Sequence, residues 1–152
     1  MMRGFEIAKG WEDKNINIPV RKTKHAAGYD FEAAEDTLVP SFKKGVNPTL
    51  IPTGIKAYMA DDEVLYLYNR SSNPKKKGLI LANSVGVIDK DYYNNPDNDG
   101  HIMFAFFNIK DEDITIKKGE AIGQAVFAKY LVTDDDTASD KRQGGFGSTD
   151  KK

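Results

Sequence analysis

Ile102-Met103-Phe104-Ala105-Phe106-Phe107 is the stretch on which the fold turns. At a repeat of two, Ile102, Phe104 and Phe106 share one face and Met103, Ala105 and Phe107 the other. Both faces are apolar, which predicts a strand buried on both sides, within the subunit or at a subunit contact. Val64-Leu65-Tyr66-Leu67-Tyr68 reads the same way. Outward from these two runs, Gly and Pro are so widely spread that few windows are long enough for a helix. Runs rich in β-branched and aromatic residues predict strands at 16–20, 29–33, 49–51, 54–59, 64–68, 79–81, 102–107, 114–116 and 121–131. Many short strands separated by turn signals make an all-β sandwich, barrel or jelly roll. The one helix predicted is a turn or two after Ser72, with Pro74 near its start. Residues 133–152 differ in composition. They hold Asp134-Asp135-Asp136, then Gly144, Gly145 and Gly147, and few apolar side chains. This predicts a core domain over 1–132 followed by a mobile arm. Phe146 among those glycines is odd for a merely solubilising tail.

A chain of 152 residues suits one domain with a real core. Its 22 basic and 23 acidic residues leave a net charge of -1. That balance argues against a dedicated duplex-DNA binder, but leaves room for a small basic pocket around a phosphate. The absence of cysteine excludes disulfides, thiolate nucleophiles and Cys-based zinc sites. His25 and His101 are the only histidines, and read as surface or hairpin polarity rather than a metal site. No apolar leader or membrane-length apolar run is visible, so a cytoplasmic protein is expected. Asn69-Arg70-Ser71 matches a glycosylation sequon, a chance match in that setting.

Three segments could carry chemistry. Arg70-Ser71-Ser72 follows an apolar strand. It is either a phosphate cradle of guanidinium and hydroxyls or a surface Arg beside an N-cap serine. Asn83 through Tyr92 sets an amide, Gly86, the carboxylate of Asp89 and an aromatic close together. Asp89 is either a turn former or a base held at a cavity wall. Gly144-Gly145-Phe146-Gly147-Ser148-Thr149 could converge its N–H groups on phosphate oxygens and stack Phe146 on a base, or be a flexible tail. Lys75-Lys76-Lys77 reads as a solvated face.

In their joint order these segments resemble the five motifs of the trimeric dUTPase family. Ala27-Gly28-Tyr29-Asp30-Phe31-Glu32-Ala33 looks like the first, and Arg70-Ser71-Ser72 with Lys77-Gly78-Leu79 like the second. Asn83 through Tyr92 resembles the third, Ile116 through Gln124 the fourth, and Gly144 through Thr149 the fifth. The resemblance implies a jelly-roll-like subunit of the β-clip kind. It also implies a homotrimer whose active sites each draw on all three chains, and Mg²⁺ as cofactor. The implied reaction is hydrolysis of dUTP to dUMP and pyrophosphate, with Asp89 directing water onto the α-phosphorus. Arg70, Ser71, Ser72 and Gln124 would hold phosphate oxygens and ordered water. Asp30 would meet Mg²⁺ through water. Asn83, with main chain near Gly86, Val87 and Met103, would read uracil. Tyr92 would pack under the deoxyribose. The arm would close as a lid, with Phe146 and Gly147 over the base and Ser148 and Thr149 on the phosphates.

The chain also departs from the family pattern. Asn69 stands where Pro or Gly is usual, with little effect expected. Residues 93–99 intervene before Gly100, which lengthens the hairpin expected to bind uracil. Lys141 sits where the family's arm arginine usually lies, and Arg142 is favoured for the γ-phosphate because it keeps the bidentate fork. Asp150 replaces a usual glycine. Three rival readings follow. A dCTP deaminase, or a bifunctional deaminase–dUTPase, of the same superfamily would release ammonia from dCTP. A dUTP-responsive regulator of a protein partner, as in some phage-encoded relatives, would use 93–99 as its contact surface. A structural jelly roll would turn over nothing. Neither a membrane nor a nucleic-acid partner is expected.

Overall fold

The protein is described by a computed structural model over residues 2–145. Ten strands and one short helix follow in order: β1 (Gly4–Ile7), β2 (Tyr29–Glu32), β3 (Thr37–Val39), β4 (Thr49–Tyr58), β5 (Glu63–Asn69), α1 (Asn73–Lys77), β6 (Leu79–Leu81), β7 (Gly86–Ile88), β8 (Ile102–Asn108), β9 (Ile114–Ile116) and β10 (Ala121–Lys129). One sheet runs β1-β4-β8-β6 and a second runs β2-β10-β5-β7, with β3 and β9 as a small pair. Every neighbouring pair of strands is antiparallel. The result is an all-β, jelly-roll-like sandwich.

Alternation places the core. Ile102, Phe104, Phe106 and Asn108 of β8 are buried, while Met103, Ala105 and Phe107 are half-buried. One face of this strand is therefore sealed inside the sandwich and the other is only partly covered within a single chain. Phe104 joins the two sheets, with its ring centroid 5.6 Å from that of Phe31 on β2. It also lies over Gly123 of β10, where an added Cβ would meet the ring at 2.2 Å. Only glycine lets the sheets close to this distance.

Two of the predicted strands, 49–51 and 54–59, are one strand. Pro52 and Gly54 break the pattern without breaking β4, because the pairing to β8 skips from Pro52↔Met103 to Ile55↔Ile102. Thr53 and Gly54 form a bulge stitched to its neighbours by hydrogen bonds. Thr53 Oγ1 donates to Ile102 O at 2.6 Å, and Gly54 N–H donates to His101 Nε2 at 2.9 Å. Residues 16–20 form no strand. Their alternation ends in a single bridge from Val20 to Asp30, and Ile16 instead covers Gly54. Strands β1, β3 and β7 were not among the predicted ones.

His101 is thus structural, and its ring also lies 5.2 Å from Trp11. Burial pushes its pKa down from 6.5 to about 4. Between those values the unfolded chain binds a proton that the folded chain does not. Stability therefore falls as pH drops through this window and is indifferent to the group above it. Thermal melts from pH 7 to 4 are expected to show a shallower loss of Tm in His101→Gln, whose amide oxygen can still accept from Gly54.

The helix begins after Ser72, as predicted, and stops at Gly78, which takes the left-handed conformation at φ 67°. Asn69, where little effect was expected, anchors this turn. Its Oδ1 accepts from Arg70 N–H at 2.9 Å and from Asn73 Nδ2 at 2.8 Å, while its own Nδ2 donates to Leu79 O at 3.0 Å. Beyond β10 the chain is exposed until Arg142, which is half-buried, and Gly144 and Gly145 are buried again.

Candidate active site

Strand β7 is three residues long and pairs with β5 as Leu65↔Ile88, Tyr66↔Val87 and Leu67↔Gly86. Gly86 packs directly on Leu67, and Asp89 emerges where β7 ends. A 3-10 turn over Lys90–Tyr92 follows, closed by Tyr92 N–H donating to Asp89 O at 3.1 Å. This turn sets the carboxylate and the aromatic ring on the rim of one cavity. The cavity measures about 210 Å³ and is lined by Leu67, Asn83, Gly86, Val87, Ile88, Asp89, Tyr92, Met103 and Arg142. Its volume is below the usual range for a whole ligand and suits a single-ring base with part of a sugar.

The cavity combines an apolar floor with a few directed polar groups. Asp89 is 52% exposed, so its carboxylate is open to water. Tyr92 is only 6% exposed, and burial raises its pKa. Arg142 reaches in from the arm. Its Nη2 donates to Asp89 Oδ2 at 2.5 Å, its Nε to Asp91 Oδ1 at 2.7 Å, and its Nη1 to Gly144 O at 3.1 Å. Burial works against its charge, but Asp91 and Asp89 outweigh that and hold the guanidinium pKa above its ordinary value. Asp91 was not among the expected site residues; its place two residues beyond Asp89 was the available signal. Gly144 and Gly145 follow, seated on Asp97 and on Tyr92, where an added Cβ at Gly145 would meet the ring at 2.7 Å.

The remaining expected residues gather elsewhere. Gln124 on β10 stands opposite Asp30 on β2 and Tyr68 on β5. Directly opposed residues share a face, so these three form one row across the sheet. Arg70 follows at the end of β5, its Nη1 donating to Ala121 O at 3.4 Å. Ser71 is exposed, and Ser72 stands at the N-cap position of α1 without a capping bond from its side chain. This second group and Asp89 lie at opposite ends of β5. Asp89 leaves β7 beside Leu65, five residues before Arg70, and at about 3.3 Å of rise per residue the separation is roughly 15–20 Å. Lys141 is exposed and does not line the cavity. Phe146, Gly147, Ser148 and Thr149 lie outside the described residues.

Known proteins share both the sequence and this architecture. A deoxyuridine 5'-triphosphate nucleotidohydrolase of Lactococcus lactis is 57% identical over 150 residues, spanning 97% of each chain. The crystal structure of dUTPase from Streptococcus mutans matches with a TM-score of 0.80 at 50% identity, covering 86% of this chain and 98% of that one. The dUTPase from phage phi11 of S. aureus matches at 0.70 with 17% identity, over 92% and 97% of the chains, a likeness of fold. Fold, cavity and relatives define a nucleotide-hydrolysing enzyme on a jelly-roll-like scaffold. The sequence pattern of the dUTPase family matches residues 14–150, and the chain belongs to that family, whose activity is hydrolysis of dUTP to dUMP and pyrophosphate.

Proposed function

We propose that this chain hydrolyses dUTP at sites assembled between copies of a homotrimer, with Asp89 from one copy and Arg70, Ser71 and Gln124 from another. The separation of these residues to the two ends of β5 carries this reading. A carboxylate acting on an α-phosphate must come within hydrogen-bond reach of the attacking water. Groups roughly 15–20 Å apart on one rigid strand cannot hold the same phosphate. Each end is half of a site, and two copies complete it. The outer face between the halves supports a contact of this kind, because it leaves Tyr68 and Val87 exposed at 36% and 56%.

In the assembled site, uracil enters the cavity of the third motif. Asn83 and the main chain near Gly86, Val87 and Met103 read its edge, and a base carrying the thymine methyl does not fit. Tyr92 packs under the sugar and excludes a ribose hydroxyl. Arg70, Ser71 and Ser72 take phosphate oxygens and oppose the charge that moves onto pyrophosphate. Asp89 accepts a proton from the water that attacks in line. Phe146, Gly147, Ser148 and Thr149 of the arm complete the cover over base and phosphates.

The residues present fit Mg²⁺ held by the triphosphate. No group of three or more acidic or imidazole ligands is found among the described residues. Asp30 beside Gln124 offers hard oxygens suited to contact through water. When bound, Mg²⁺ would neutralise phosphate charge. No helix is long and apolar enough to cross a membrane among the described residues. A cytoplasmic enzyme that keeps uracil out of DNA and supplies dUMP for dTMP synthesis fits the reading.

Arg142 must leave Asp89 before that carboxylate can act as a base, and the triphosphate is the natural competitor for its guanidinium. Arg142→Lys retains the charge but loses the fork. Its kcat/KM for dUTP is expected to fall about tenfold with Tm nearly unchanged, since the lysine keeps the charge beside Asp89 and Asp91, whose carboxylates are 52% and 56% exposed. The overall reading is tested by pyrophosphate release from dUTP, dTTP, dCTP and UTP with Mg²⁺. Turnover of dUTP alone is expected. Ammonia release from dCTP, or no turnover of any of the four, would overturn it.

A further inference from the structure

Residues 93–99, the stretch that interrupts the family pattern, turn inward on their own chain. Asn95 is 5% exposed and organises the loop. Its Oδ1 accepts from the N–H groups of Asp97 and Asn98 at 3.0 and 3.1 Å. Its Nδ2 donates to Tyr92 O and to Asn98 Oδ1, both at 2.7 Å. Asn98 Oδ1 also accepts from Gly100 N–H at 3.1 Å. With two donors on Oδ1, the orientation of the Asn98 amide is determined by the network. Its Nδ2 then points to the Tyr92 hydroxyl and donates to it at 2.8 Å. That hydroxyl donates in turn to His101 O at 2.6 Å. The phenol is gripped through both its lone pair and its proton, by two partners on the stretch that leads into β8.

We infer that Asn98 is a positioning residue for sugar selectivity: its side-chain donor fixes the Tyr92 ring as a rigid wall of the cavity, so that a ribose cannot be accommodated. The inference rests on the reading of this cavity as the dUTP site. A wall excludes one extra hydroxyl only if it cannot yield, and a phenol held by two hydrogen bonds yields less than one held by a single bond. Gly145 of the arm sits against the same ring and approaches Asn98 Nδ2, so the closing segment meets the surface that Asn98 sets. Asn95 and Asn98 of the insertion therefore serve the cavity.

Asn98→Asp removes the donor. The carboxylate keeps the shape and the oxygen that serves Gly100 and Asn95, turns the N–H directed at Tyr92 into an acceptor and adds a negative charge, whose own effect persists in the Tyr92→Phe background and is read there. The experiment measures kcat/KM for dUTP and UTP in the full-length wild type, Asn98→Asp, Tyr92→Phe and the double variant, with melting curves for each. Asn98→Asp is expected to lower the dUTP-to-UTP selectivity about fivefold to tenfold, the effect of one hydrogen bond, with kcat for dUTP falling by less. In the Tyr92→Phe background the same change is expected to leave selectivity as it was. Unchanged selectivity in Asn98→Asp would overturn the inference. So would an equal loss in the Tyr92→Phe background, because Asn98 would then act through the loop and not the phenol. A wild type inactive on dUTP would instead sink the functional reading beneath it.

Discussion

Asp89→Asn is expected to lower kcat for dUTP by about a thousandfold, within the range that general-base groups contribute. The substitution preserves size and shape and removes the ability to accept a proton from water. KM is expected to move little, because the cavity lining of Asn83, Gly86 and Met103 and the group around Arg70, proposed to hold uracil and phosphate, are untouched. Stability is expected to stay within about 1 kcal/mol of the parent, since Asp89 is half exposed and its pair with Arg142 is open to solvent on that side. Arg142 keeps its bond to Asp91. Pyrophosphate release and a thermal melt on the same sample check both parts. A variant that melts normally and still turns over dUTP at more than a tenth of the parent rate would remove Asp89 from the chemistry. It would also return the residue to its other sequence reading, that of a turn former at the start of the Lys90–Tyr92 turn.

The strands that were legible from sequence are those whose alternation had no interruption. Ile102–Asn108 and Glu63–Asn69 extend the predicted 102–107 and 64–68 by a residue or two, and Leu79–Leu81 and Ile114–Ile116 fall on the predicted residues. Pro52 and Gly54 misled because breakers interrupt a period whether or not they end a strand. Only the engagement of Thr53 and His101 with the bulge distinguishes the two cases. The alternation of Ile16, Ile18 and Val20 pointed to a strand, but pairing needs a neighbour along its length, and Val20 alone finds one. Strands as short as Thr37–Val39 carry too little pattern to be read at all. The same division applies to the site. Asn83, Gly86, Asp89 and Tyr92 lie close in sequence, and local turns are enough to bring them to one cavity. Motif order said nothing of distance between Asp89 and Arg70, because that is set by the register of β7 on β5, a non-local pairing. Asn69 and Asn98 were read as departures from a family pattern, yet each makes several hydrogen bonds that hold a neighbouring site residue in place.

Mixing two inactive variants is expected to restore activity. Arg70→Ala and Asp89→Asn each disable every site in their own homotrimers. On the proposed trimer, reassembled from an equal mixture, a site needs Asp89 from one copy and Arg70 from another. The chance that the first copy is the Arg70→Ala chain and the second the Asp89→Asn chain is about one quarter, so roughly a quarter of parental activity should return. Against backgrounds near a thousandth of the parent, this is a gain of several hundredfold. The arithmetic depends on geometry alone. Were both residues supplied by one chain, every site in the mixture would carry one lesion and the rate would remain at background. Co-refolding the two chains with different affinity tags, isolating the mixed species by tandem capture and assaying pyrophosphate release measures this directly. The isolated trimers hold the two chains as 2:1 or 1:2, and in either composition one site in three, on average, receives both intact residues. A return to about a third of parental activity in that fraction supports sites shared across the contact. A return to background there would mean that β5 does not keep its two ends apart in the working enzyme.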